Sequence, residues 1–134
     1  MASKNLTPEQ LYGLACERLA DAKALYGTGR FEGAFYLCGY AVEMGLKYKT
    51  CKTLDWDVYY SEGQEYKSFK THDVDELLRF SGMEKQKNSL FMAEWLVITK
   101  WDPEIRYSSQ KQTQEDVKLM IEATESLLGK LWAK

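Results

Sequence analysis

The stretch Phe31-Glu32-Gly33-Ala34-Phe35-Tyr36-Leu37-Cys38-Gly39-Tyr40-Ala41-Val42-Glu43-Met44-Gly45-Leu46-Lys47 restricts the fold of this chain more than any other feature. It is apolar on nearly every side, so as a helix it has to be enclosed by other helices. Three glycines interrupt it, and each costs a helix interior about 0.5–1 kcal/mol relative to alanine. Close approach of neighbouring helices over the small residues is the expected compensation. A strand is the rival reading of so many aromatics, but the run is too long and too glycine-rich for one strand. The expectation is a central helix near residues 30–52.

The flanking segments supply its partners. Thr7-Pro8-Glu9-Gln10 has the residues of a capping box with proline at the first helical position. Leu11, Leu14, Ala15, Leu19, Ala22 and Leu25 then follow helical spacing up to Gly27-Thr28-Gly29. Such a short turn makes the first two helices antiparallel neighbours. From Lys52 to Lys70 a connector carries Trp56, Tyr59, Tyr60, Tyr66 and Phe69, which are expected to pack onto the bundle. A short helix follows, with Thr71 as its cap, Val74, Leu77, Leu78 and Phe80 inward, and Ser81-Gly82 at its end. A fourth helix is expected from about Met83 to Trp101, with Leu90, Phe91, Glu94, Trp95, Ile98 and Trp101 near one stripe and Pro103 stopping it. The last opens at Thr113 and runs to Trp132, burying Val117, Met120, Ile121, Thr124, Leu127, Leu128 and Leu131. The fold class is therefore all-α: an up-and-down bundle of four main helices plus a short extra one, in a single domain over residues 1–134.

Composition narrows the function. Lys and Arg total 18 against 20 for Asp and Glu, a net charge of −2. Such a balance gives no long-range field to draw in nucleic acid, so a phosphate ligand needs a local patch. Cys16, Cys38 and Cys51 form no C-x-x-C pair, and His72 is the only histidine, so no usual zinc site can be assembled. Unpaired cysteines in apolar helical patterns, a first segment without a signal-like apolar stretch and no membrane-length apolar run lead to the expectation of a reduced, cytoplasmic protein. Neither G-x-x-x-x-G-K-[ST], G-x-G-x-x-G nor G-x-S-x-G occurs, and no cofactor or metal is implied.

Three places carry candidate chemistry. Glu43 lies deep in the apolar helix, where a bare carboxylate is very costly. Lys47, one turn on, offers an i,i+4 pair; the functional alternative has Glu43 holding Arg106 at a site. His72, between Thr71 and Asp73, reads either as a surface or capping residue or as an acid–base group that needs a second positioned partner. Arg106 with Tyr107 lies between Pro103 and the loop Ser108-Ser109-Gln110-Lys111-Gln112, just before a helix start. Arg106, Lys111 and that helix start could together receive a phosphate; alternatively, Arg106 pairs with a buried acid and Tyr107 packs. The connector aromatics, with Lys67 and Lys70 between them, could stack bases, although Glu62 and Glu65 dilute the patch.

Taken in order, Gly29-Arg30-Phe31 to Leu46-Lys47, then Lys70-Thr71-His72-Asp73-Val74, then Trp101-Asp102-Pro103-Glu104-Ile105-Arg106-Tyr107 resemble prokaryotic HEPN-domain proteins ("higher eukaryotes and prokaryotes nucleotide-binding"). The resemblance runs from about Leu11 to Leu131. It implies the helical bundle, a homodimer, and a toxin–antitoxin, phage-defence or other RNA-directed setting beside a nucleotidyltransferase-type partner. Many members are metal-independent ribonucleases with R-x(4–6)-H before the last helix. Here Arg106 stands at the arginine position, but Lys111 follows it and no histidine comes after. A lysine, with an ordinary pKa of about 10.4, is a poor proton shuttle at neutral pH. The resemblance therefore implies a non-catalytic module binding nucleotide, RNA phosphate or a protein partner near Arg106, Tyr107, Lys111 and Glu43. The alternatives are a divergent ribonuclease using His72 with Arg106, or a purely structural dimeric subunit.

Overall fold

A computed structural model describes residues 5–101 and 112–132 of the chain. Helix α1 spans Pro8–Gly27 and opens with the expected capping box: Thr7 Oγ1 accepts from Gln10 N at 3.1 Å, and Gln10 Oε1 accepts from Thr7 N at 2.9 Å. Gly29, at φ +80°, takes the left-handed turn that a β-carbon would disfavour, and Arg30 N returns to Leu25 O at 2.9 Å. Helix α2, Phe31–Leu54, therefore doubles back along α1, and the two form the most extensive helix pair of the fold. It ends two residues beyond the expected limit, at Asp55 in the left-handed conformation, with Trp56 N bonded to Cys51 O at 2.8 Å.

Helix α6, Gln114–Trp132, lies on another side of α2 and buries all seven residues expected on its apolar face. Thr113 and Asp116 cap it reciprocally, with contacts of 3.1 and 3.2 Å. Two glycines of α2 create the space that its neighbours fill. A β-carbon on Gly45 would lie 2.4 Å from Leu128 Cδ2, and one on Gly39 would lie 1.8 Å from Cε2 of the Trp101 ring. These close approaches answer the helix-interior cost of the glycines, as the sequence led us to expect. Ala34, Phe35, Cys38, Ala41, Val42 and Leu46 are all buried between the surrounding helices.

The connector from Asp55 to Lys70 contains a 3-10 turn, Gln64–Phe69, and packs its aromatics together. Trp56 meets Phe69 at 5.0 Å and Tyr60 at 5.1 Å between ring centroids, and Phe69 meets Phe80 at 4.6 Å. Tyr59, buried, donates its hydroxyl to Phe69 O at 2.8 Å and its backbone N–H to Leu6 O at 2.8 Å. Helix α3, Val74–Phe80, is capped by Asp73, whose Oδ1 accepts from Asp75 N and Glu76 N. Thr71, the expected cap, instead accepts from Asp73 N at 3.1 Å, one turn of loop earlier.

The expected fourth helix is two short ones, α4 over Glu84–Leu90 and α5 over Met92–Ile98. Phe91, at φ −145° and ψ 34°, breaks them apart. The physical reason is the sequence Glu84-Lys85-Gln86-Lys87-Asn88-Ser89, which offers no apolar face, so α4 buries nothing. The break turns Phe91 fully inward, in register with Trp95 and Ile98, and leaves Leu90 exposed, contrary to its place in the expected stripe. Helix α5 packs on α6, where Ser126 Oγ donates to Glu94 at 2.7 Å and the Lys130 ammonium bonds both Glu94 and Leu90 O. Among the described residues there are six α-helices, one 3-10 turn and no strand.

Candidate functional site

Tyr36, Tyr40, Glu43 and Lys47 recur at i, i+4, i+7 and i+11 along α2, so one face of the helix carries all four. The other sides of α2 are taken by α1 and α6, and this stripe meets the loop before α3 and Trp101, three residues beyond α5. At its centre is Glu43, 1 % exposed and the one charged side chain in the buried core among the described residues. Lys47 Nζ lies 2.9 Å from Oε2, the i,i+4 pair that the spacing suggests. The second partner is unforeseen: His72 Nδ1 lies 2.9 Å from Oε1 and 3.0 Å from Oε2. An imidazole and an ammonium thus satisfy a carboxylate that would otherwise be expensive to enclose.

The elements explain why these groups meet. Helix α3 packs its buried Val74, Leu77 and Leu78 inward, which fixes the chain just before it against α2. His72 precedes the Asp73 cap by one residue and is held at the edge of the core, its side chain 59 % exposed. It is not the helix cap, and it is not a free surface residue either. The Tyr40 ring stands edge-on to it at 6.2 Å, and Trp101 stands edge-on to Tyr40 at 5.3 Å. Trp101 Nε1 donates to Tyr36 O at 3.0 Å, while Tyr36 and Tyr40 join hydroxyls at 3.0 Å. At the far end the Lys47 ammonium lies 5.3 Å from the centre of the Tyr59 ring, a cation–π distance. Burial pushes the Tyr59 hydroxyl well above its ordinary pKa.

Arg106, Tyr107 and Lys111, expected to bind a ligand, lie outside the described residues, as does Pro103. The structure thus brings together Glu43, Lys47 and His72, and leaves the proposed contact of Glu43 or His72 with Arg106 outside its description. Tyr36, Tyr40 and Trp101 were not among the expected site residues. Their signal was available in the helical spacing of Tyr36 and Tyr40 with Glu43; Trp101 joins them only through tertiary packing.

Other features are structural or lie apart. Cys38 and Cys51 are buried free thiols, and burial pushes their pKa values up to about 12 and about 11; Cys16 is exposed. Tyr60 and Tyr66 stack at 4.9 Å within the connector cluster, and the Tyr60 hydroxyl is spent on Asp57 at 3.0 Å, which raises its pKa. Between α1 and α2 runs a shallow apolar groove of about 350 Å³, lined by Leu6, Leu14, Arg18, Leu37, Tyr40 and Met44. Among the described residues no three His, Cys, Asp or Glu side chains converge to hold a metal ion, and no helix is long and apolar enough to cross a membrane.

Comparison with family profiles gives a match over residues 8–132, nearly the whole chain, to the family described as HEPN domain. No curated protein and no solved structure matches significantly.

Proposed function

The chain belongs to the HEPN domain family, and on that premise we propose that it is a binding module for a nucleotide or an RNA segment, with His72 as its central contact. The observation that carries this reading is the imidazole held against the enclosed Glu43–Lys47 pair with its opposite edge turned outward. Immobilising a side chain in advance lowers the entropic cost of binding through it. Arg106, Tyr107 and Lys111 supply the phosphate contacts in this proposal, since the ligand's charge needs a local basic group on a chain of net charge −2. The module does not cleave in the manner of the family's ribonucleases, because Lys111 stands where their histidine follows the arginine.

Homodimerisation, a toxin–antitoxin or defence setting, and a nucleotidyltransferase-type partner belong to the same proposal. The apolar groove between α1 and α2 supports self-association as a place where a second copy would bury surface. Solution mass tests this directly: a monomeric mass across the micromolar range removes the dimer from the proposal.

A second reading has one observation in its favour. A carboxylate on Nδ1 is the arrangement that prepares a histidine to exchange protons through its other nitrogen, so His72 with Arg106 would make a divergent ribonuclease. Incubation of the purified protein with mixed RNA and no added metal separates the two. Intact RNA, together with saturable binding that weakens in Arg106→Ala, supports the module. Cleavage that disappears in His72→Ala or Arg106→Ala overturns it in favour of the enzyme.

A further inference from the structure

We draw no further inference here: the strongest candidate, the apolar groove between α1 and α2 lined by Leu6, Leu14, Leu37, Tyr40 and Met44, is an unpartnered face, and beyond the self-association already proposed nothing in the structure shows what covers it.

Discussion

Replacing Gly39 with alanine tests the packing on which the candidate site rests. An ideal β-carbon there lies 1.8 Å from Cε2, 2.0 Å from Nε1 and 2.1 Å from Cδ2 of Trp101. Carbon atoms in contact normally stand about 3.5–4.0 Å apart, so the indole has to retreat by well over 1 Å or leave. Trp101 is 5 % exposed and packed against the helix, with little room to retreat. A buried tryptophan removes roughly 150–250 Å² from water; at about 25 cal/mol per Å², expelling it costs on the order of 4–6 kcal/mol. The Nε1 bond to Tyr36 O is lost as well, about 1 kcal/mol. Alanine in the helix interior returns only about 1 kcal/mol. Partial accommodation by overpacking lowers the cost towards 1–3 kcal/mol. The expected destabilisation is therefore about 2–5 kcal/mol, measured by urea unfolding followed by circular dichroism at 222 nm. Gly13→Ala in α1 is the matched control, because nothing lies within 4 Å of its new β-carbon, and it should stabilise by about 0.5–1 kcal/mol. In a double-mutant cycle, Trp101→Ala should remove most of the penalty of Gly39→Ala. If Gly39→Ala is as stable as the parent, or the cycle shows no coupling, the close-approach argument is wrong.

Other consequences can be read from the same contacts. Removing the carboxylate by Glu43→Ala strands Lys47 at 14 % exposure, and truncating one member of such a buried pair typically costs about 3–5 kcal/mol; unfolding curves unchanged within 1 kcal/mol would refute it. Thiol labelling under native conditions should modify Cys16 alone, with Cys38 and Cys51 reacting only on denaturation. Because burial raises the pKa values of both to about 12 and about 11, their contribution to stability is complete below the unfolded thiol pKa and is lost as pH rises towards those values; alkaline unfolding scans of Cys38→Ala should show a shallower decline. Burial pushes the Glu94 carboxyl up, but hydrogen bonds from Lys130 and Ser126 outweigh it and hold the pKa below the ordinary value. Its stabilising contribution is therefore present above the unfolded Glu pKa and lost as pH falls through the folded one. Glu94→Gln should flatten the acid limb of the stability profile, and an unchanged limb would remove Glu94 from the account.

Most of the fold was legible in local sequence, because the forces that decide helices act over one turn. The capping box at Thr7, the turn at Gly29, the all-round apolar α2 and the striped α6 each have a short-range cause that the residues state directly. The break at Phe91 was not legible, since residues 83–101 carry no proline or glycine after Gly82 to announce it. Burying Phe91 while leaving Leu90 outside is a decision of packing against the rest of the bundle. The same division holds at the site. By itself the sequence determined that Glu43 must find partners, and it offered Lys47 at helical spacing. Only the tertiary structure decided that the second partner is His72, 29 positions away. The cost of a buried charge can be read from one residue's surroundings, but the group that offsets it depends on how α3 and its preceding loop dock. The three glycines of α2 likewise announced close approach, and the fold decided that Trp101 and Leu128 make it at Gly39 and Gly45.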